Sequence, residues 1–300
     1  MTQRLAPSTI ALLVIPPLMW AGNAVVGRMV NTMVPPMTLN LLRWVIAFVL
    51  LLPLAWRVLS PTSAMWPNWR RFSLMGLFSV GLYNALQYLA LHTSTPLNVT
   101  LVASSGPVWM LLVGRVFFGA PIAPRQLAGA ALSISGVLVV LSRGQWDLLL
   151  QVRLVAGDIY ILIAAAVWAF YSWMLSESGK DPAAIRSDWA AFLMAQIVFG
   201  LLWSGLLAGG EWALTDAHMQ WNSTVAAALL FVAVGPALIA YRCWGAGIGR
   251  AGPAVAAFFS NLTPLFAAVL SALLLGDMPR AYHAMAFALI VAGIVLSSRK

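Results

Sequence analysis

The chain has 300 residues, of which 62% are hydrophobic and only 8% are charged. A soluble domain carries roughly a quarter charged residues, so the composition excludes a soluble protein and predicts one embedded in a lipid bilayer. The net charge of +9 does not indicate a nucleic-acid partner, because the basic residues are scattered between apolar segments instead of gathered on one face.

Ten apolar segments follow one another along the chain, each about as long as the 20 residues that a helix needs to cross a bilayer. Short connections separate them, and no soluble domain interrupts them. The predicted spanning helices cover residues 8–30, 36–57, 72–91, 97–118, 124–142, 157–176, 187–208, 222–244, 253–275 and 281–298. The expected fold class is therefore an all-α integral membrane protein with ten transmembrane helices.

One stretch of the chain occurs twice, over residues 96–142 and 253–299. The matching residues lie 157 positions apart: Pro107 with Pro264, Gly119 with Gly276, and Gly136 with Gly293. This duplication predicts two related halves, 1–143 and 154–300, with five helices each. Because five is an odd number, the second half enters the membrane from the opposite side. We therefore expect two inverted five-helix repeats around a central cavity, an architecture of many secondary transporters.

Lysine and arginine favour one side of this predicted topology. With the N-terminus in the cytoplasm, ten of them lie inside and four outside, as the positive-inside rule requires. The inner set is Arg4, Arg57, Arg70, Arg71, Arg125, Lys180, Arg186, Arg250, Arg299 and Lys300, and the outer set is Arg28, Arg143, Arg153 and Arg280. We expect a multi-pass plasma membrane protein, in bacteria of the inner membrane, with both termini cytoplasmic.

Signatures of enzymes and of metal sites are missing from the sequence. None of the patterns GxSxG, HExxH, CxxC and GxxxxGK[ST] occurs. The three histidines lie far apart in sequence, Cys243 is the only cysteine, and the acidic residues fall in loops or at predicted helix ends. We therefore predict a protein that is not an enzyme and that needs no metal or cofactor.

Aromatic and amide side chains in the middle of the predicted spans are the candidates for substrate binding. Trp20 and Asn23 lie three residues apart on one helix face, and Trp168 and Tyr171 repeat that spacing in the second half. The full candidate set is Trp20, Asn23, Tyr83, Gln87, Ser105, Trp109, Trp168, Tyr171, Tyr241 and Asn261. An open alternative is that serine bonds to its own helix backbone and that the aromatic rings form belts at the membrane interface.

Three further residues inside spans need an explanation. Pro107 and Pro264 each remove a backbone hydrogen bond, and their recurrence in both halves favours hinges over passive kinks. Arg43 is too costly to face lipid about seven residues into its span. We expect a structural role for it, in which it either snorkels outward or pairs with Asp158.

The duplicated stretch resembles the EamA domain of the drug/metabolite transporter superfamily, and the resemblance covers almost the whole chain. Besides the repeated proline and glycine positions, it rests on Trp20, Ala21, Gly22 and Asn23 in the first span, on Leu42, Arg43 and Trp44 in the second, and on the glycine–acid turn of Gly276 and Asp277. Ala120 stands where that family usually has an acid in the first half. Asp277 is therefore expected to have a structural role.

Within the superfamily the aromatic-rich spans are most similar to those of exporters of aromatic amino acids. The resemblance implies a secondary transporter that exports small neutral amino acids, aromatic ones among them, by alternating access between two halves. The alternative is a multidrug or aromatic-cation exporter of the same superfamily. The expected partners are the amino acid substrate and the lipid bilayer, and the expected oligomeric state is a monomer.

Overall fold

The structure is a computed structural model that describes residues 5–94, 96–151, 155–275 and 281–298. Within these ranges the chain forms helices and connecting turns, with no strand, which confirms the all-α class. The described α-helices are α1 (Pro7–Val30), α2 (Pro36–Ala55), α3 (Trp69–Gly76), α4 (Tyr83–Thr93), α5 (Pro96–Ala103), α6 (Gly106–Phe117), α7 (Pro124–Leu141), α8 (Asp147–Leu150), α9 (Ala156–Ser176), α10 (Ala183–Arg186), α11 (Trp189–Leu214), α12 (Ser223–Val232), α13 (Ala240–Ala251), α14 (Pro253–Ser260), α15 (Thr263–Leu275) and α16 (Ala281–Ser298).

Eight helical stretches of the described residues are long and apolar enough to cross a membrane. They are Pro7–Val30, Pro36–Leu59, Pro124–Leu141, Ala156–Ser176, Trp189–Leu214, Ser223–Ala251, Pro253–Leu270 and Ala281–Ser298. The predicted spans 72–91 and 97–118 are not in this set, and both are divided in the structure. A π-helical segment, Leu77–Leu82, separates α3 from α4, and a turn separates α5 from α6.

The duplicated stretch folds into matching helices in its two copies. The helices α5, α6 and α7 begin 157 positions before α14, α15 and α16. In each copy the helical path breaks just before the shared proline, so that Pro107 and Pro264 lie at the second position of α6 and α15. A proline there loses no helical hydrogen bond, because the first N–H groups of a helix have no partner within it. The prolines therefore begin a helix instead of kinking its interior.

The helices α7 and α16 cross closely at glycines. A Cβ atom on Gly136 would lie 2.7 Å from Cγ1 of Ile290, and one on Gly293 would lie 3.0 Å from Cβ of Ser133. Ser133 and Ile290 occupy equivalent positions, so the contact is made twice, once from each copy, as at a two-fold axis. The later residue on α7 meets the earlier residue on α16, which means that these two helices run antiparallel.

Other contacts between the halves repeat in the same way. The helix α1 packs on α13 and α15, whereas α9 packs on their counterparts α4 and α6. Similarly, α2 packs on the π-helical segment Ala233–Ile239, and α11 packs on the π-helical segment Leu77–Leu82. The helices α1 and α9 thus occupy equivalent places, which brings their tryptophans towards each other near the centre of the molecule.

Charged side chains connect segments that are distant in sequence, through ion pairs and a helix cap. Arg71 on α3 pairs with Glu177 and Asp181, and Arg186 pairs with Asp181 at 3.1 Å. On α11, the carboxylate of Glu211 accepts the backbone N–H groups of residues 37 and 38 and so caps the start of α2. The predicted turn containing Asp277, together with Gly276, Arg153, Arg280 and the terminal basic residues Arg4, Arg299 and Lys300, lies outside the described residues.

Candidate functional site

A cavity of about 130 Å³ lies between α1, α4, α5, α6, α9, α14 and α15. Because one water needs roughly 10–15 Å³ of such space, the cavity has room for on the order of ten water-sized groups. Its described lining contains no Asp, Glu, Lys, Arg or His. The lining residues are Trp20, Ala24, Tyr83, Gln87, Val99, Thr100, Ala103, Ser104, Gly106, Met110, Ile161, Ala164, Ala165, Trp168, Ala257, Ser260, Asn261, Thr263 and Pro264.

Three aromatic rings form one wall of the cavity. Trp20 and Trp168 meet edge to face with ring centroids 5.2 Å apart, and Tyr83 lies 4.5 Å from Trp168. Trp244 packs behind them, 5.3 Å from Trp20, and donates its N–H to the Ser172 hydroxyl at 3.1 Å. Edge-to-face and tilted ring pairs of this kind are favourable, so the wall is preorganised.

The ring N–H of Trp168 differs from that of Trp244. It is buried and has no hydrogen-bond partner among the residues that the structure describes. A buried donor without a partner is unfavourable unless something else satisfies it. Trp168 is only 6% exposed and lines the cavity, so a bound molecule is the group that would satisfy this donor.

The polar wall is built at the two helix breaks. Ser104 lies at the break between α5 and α6, and its repeat equivalent Asn261 lies at the break between α14 and α15. The side-chain amide of Asn261 donates to the Ser133 hydroxyl at 2.9 Å, which fixes its orientation. The N-termini of α6 and α15 also open at this wall, where Gly106 and Thr263 line the cavity. Helix N-termini carry partial positive charge, so this wall favours a carboxylate.

The structure brings part of the predicted site together at this cavity. The predicted residues that line it are Trp20, Tyr83, Gln87, Trp168, Asn261 and the proposed hinge Pro264. Four lining polar residues were not in the predicted set: Thr100, Ser104, Ser260 and Thr263. The signal that could have found three of them is their position within four residues before a repeated proline.

Four predicted residues do not line the cavity: Ser105, Trp109, Tyr171 and Tyr241. The Ser105 hydroxyl donates to the Val102 carbonyl at 2.6 Å, which is the backbone bond that the alternative interpretation described. Trp109 is half-buried against the apolar core and does not belong to the cavity lining. Tyr171 and Tyr241 are buried, and their rings lie 5.2 and 5.5 Å from that of Trp168. These two tyrosines support the wall without lining it.

The remaining predicted residue, Asn23, belongs to a buried polar network around Arg43. Nη1 of Arg43 donates to Oδ1 of Asn84 at 2.8 Å, to the Tyr88 hydroxyl at 3.0 Å and to Oδ1 of Asn23 at 3.4 Å. Arg43 is 0% exposed, so it does not snorkel outward. Asp158, the other expected partner, accepts a hydrogen bond from the Val155 N–H at the start of α9.

No group of three metal-binding side chains occurs within the part of the chain that the structure describes.

Comparison with known proteins places the chain among membrane transporters. The EamA-like transporter family matches residues 7–142 and 155–299. An uncharacterized transporter of Archaeoglobus fulgidus is 27% identical over 96% of both chains. The aromatic amino acid exporter YddG of Ancylobacter novellus is 25% identical over 80% of this chain and 78% of its own length. A probable amino-acid metabolite efflux pump of Salmonella typhimurium is 27% identical over 71% of each chain.

A solved crystal structure has the same fold, with a TM-score of 0.74 at 21% identity over 98% of this chain and 97% of its own.

Proposed function

The chain belongs to the EamA-like transporter family, and we propose that it exports small neutral amino acids, aromatic ones among them, from the cytoplasm. Its relatives are named transporters or exporters, so it is a multi-pass membrane transporter and not an enzyme. The single observation that carries the proposed substrate is the cavity, which combines an aromatic wall, a polar wall and a described lining without charged side chains.

The two walls suit the two ends of an aromatic amino acid. The apolar side chain would stack against Trp20, Tyr83 and Trp168, where ring pairing favours a flat substrate. The amino and carboxylate groups would face the helix breaks, where Ser104 and Asn261 supply polar atoms. The N-termini of α6 and α15 would stabilise the carboxylate, as helix N-termini do for bound anions.

We propose ten membrane crossings in two inverted repeats, 1–143 and 154–300. The two crossings beyond the eight long helices are the path from α3 through the π-helical segment to α4, and the broken pair α5 and α6. The antiparallel packing of the equivalent helices α7 and α16 supports opposite orientations of the two repeats. Both termini would then face the cytoplasm, in a bacterial inner membrane, and one chain would enclose the whole site as a monomer.

Transport would proceed by alternating access between the repeats. The helix breaks before Pro107 and Pro264 lie beside the cavity and interrupt one helix path in each repeat. At such a break the backbone can change direction without losing hydrogen bonds inside a helix. We therefore propose these two positions as hinges that open the cavity first to one side of the membrane and then to the other.

An exporter of aromatic cations is the second candidate, and the aromatic wall is the observation that favours it. Rings such as Trp20 and Trp168 can hold a cation by cation–π attraction. A cationic substrate would, however, gain from a lining carboxylate, and the described lining has none. We therefore rank this function below amino acid export.

The test is transport by the purified protein in liposomes. Vesicles preloaded with unlabelled substrate should accumulate labelled phenylalanine, tyrosine and tryptophan by counterflow, whereas protein-free vesicles should not. Leucine and a quaternary aromatic cation complete the panel. Accumulation of the cation without any amino acid would contradict the proposal and favour the second candidate.

A further inference from the structure

Arg43 carries a buried charge that the described part of the protein does not neutralise. It is 0% exposed, and all three of its hydrogen bonds go to neutral oxygens from a single nitrogen, Nη1. Its Nε and Nη2 atoms are buried without a hydrogen-bond partner. The ion pairs among the described residues use other cations, namely Arg71, Lys180 and Arg186.

A structural role alone does not explain why this residue is charged. Moving a cation out of water is costly, and hydrogen bonds to neutral oxygens offset only part of that cost. A neutral side chain could fill the same volume and bond to Asn84 and Tyr88. An ionisable residue inside a membrane span is therefore evidence for a function that needs its charge.

The charge lies directly behind the aromatic side of the cavity. Its partner Asn84 follows the lining residue Tyr83, and its partner Asn23 precedes the lining residue Ala24. The described lining has no charged side chain of its own, so the buried charge of Arg43 adds to the potential that the helix N-termini create in the cavity.

We infer that Arg43 is a specificity-determining residue, whose buried charge makes the cavity select substrates with a carboxylate and reject substrates whose only charge is positive. The inference rests on the proposed amino acid transport and deepens it. For a charge about 10 Å away at an effective dielectric constant of about 20, Coulomb's law favours an anion and disfavours a cation by more than tenfold each, so the two differ by on the order of a hundredfold. That factor is enough to separate an amino acid exporter from an exporter of amines built on the same aromatic wall.

The experiment compares three ligands that share one phenyl ring and differ in charge. They are phenylalanine, 3-phenylpropanoate, which keeps the carboxylate, and 2-phenylethylamine, which keeps the ammonium group. Each competes against labelled phenylalanine in counterflow by the full-length protein in liposomes. We expect the wild-type protein to bind 3-phenylpropanoate on the order of a hundredfold more tightly than 2-phenylethylamine.

Variants then assign this preference to Arg43. Arg43→Gln should strongly reduce the preference for the anion over the amine and leave only the part that the helix N-termini supply, whereas Arg43→Lys should keep it because lysine keeps the charge. Tyr88→Phe removes one hydrogen bond to Arg43 and leaves the charge, so it should also keep the preference. Arg242→Gln is the matched control, since Arg242 is exposed and lies over the Trp189 ring.

The ratio of the two affinities separates this role from a structural one. If Arg43 only supported the fold, Arg43→Gln would weaken all three ligands equally and leave the ratio unchanged, which would overturn the inference while phenylalanine transport stood. If the wild-type protein itself bound the amine as well as the anion, the inference would fail even where Arg43→Gln did not fold. Wild-type protein that moves no amino acid at all would overturn the proposed function and this inference with it.

Discussion

The N–H group of Trp168 offers a sharp test of the site, because the protein makes no use of it. Trp168→Phe removes this donor and keeps an aromatic ring in the wall. No hydrogen bond within the described part of the protein is lost, since the N–H has no partner there. If the N–H donates to the substrate, its loss should weaken binding by about 1 kcal/mol, the usual net worth of one hydrogen bond. That free energy corresponds to a roughly fivefold rise in the KM for phenylalanine.

Trp244→Phe is the matched control for this substitution. Trp244 is buried in the same aromatic cluster, but its N–H donates to the Ser172 hydroxyl and its side chain does not line the cavity. The same change of side chain should here leave a buried hydroxyl without its donor and destabilise the fold by about 1 kcal/mol. The KM should stay close to that of the wild-type protein.

The assay measures two quantities for each variant. Counterflow in liposomes gives the KM for phenylalanine, and thermal unfolding in detergent gives the stability. We expect a raised KM for Trp168→Phe and a KM close to wild type for Trp244→Phe. Both variants should lose stability, because phenylalanine leaves space in the packed aromatic cluster. A wild-type KM in Trp168→Phe would refute the assignment of this N–H to the substrate.

Three further predictions concern packing, ion pairing and coupling. Gly293→Ala places a Cβ atom 2.6 Å from the Gly129 carbonyl oxygen, so overpacking should lower stability by about 1–3 kcal/mol; an unchanged melting temperature would show that α7 and α16 do not meet this closely. Asp181→Asn leaves Arg71 and Arg186 without their shared carboxylate and should lower the melting temperature clearly, whereas exposed Asp216→Asn should not. Because the described lining has no acid or histidine, transport should not require a pH gradient; concentrative uptake that needs one would contradict this.

The all-α class and part of the cavity lining could be predicted from the sequence. The 157-residue duplication located the matching helices because repeated proline and glycine positions mark helix starts and turns. The spacing shared by Trp20 and Trp168 also identified two residues of one cavity wall, because equivalent helices place equivalent residues near the centre. Residues that occupy equivalent places in the two copies could thus be recognised from short sequence patterns, although they lie far apart in the chain.

The predicted residues Ser105 and Trp109 lie outside the cavity lining for a local reason. Their prediction assumes one continuous helix, but the chain breaks between α5 and α6. The break changes the direction in which the following side chains point, so Ser104 lines the cavity and Ser105 bonds to its own backbone. A proline shows that a helix cannot continue unchanged, yet it does not show on which side of itself the break will lie.

The partners of Arg43 could not be predicted for a different reason. They come from α1 and α4, which are distant in sequence, and they are neutral oxygens. Charge matching along the chain therefore pointed to Asp158, because it favours acidic partners for an arginine.

The paired glycine contacts of α7 and α16 leave the two copies free to differ in their side chains. The backbones approach each other twice, at Gly136 and at Gly293. The neighbouring positions are not the same, because Ser133 accepts a hydrogen bond from the cavity residue Asn261 whereas its counterpart Ile290 has no side-chain acceptor. A symmetric contact between helices therefore supports an asymmetric cavity lining.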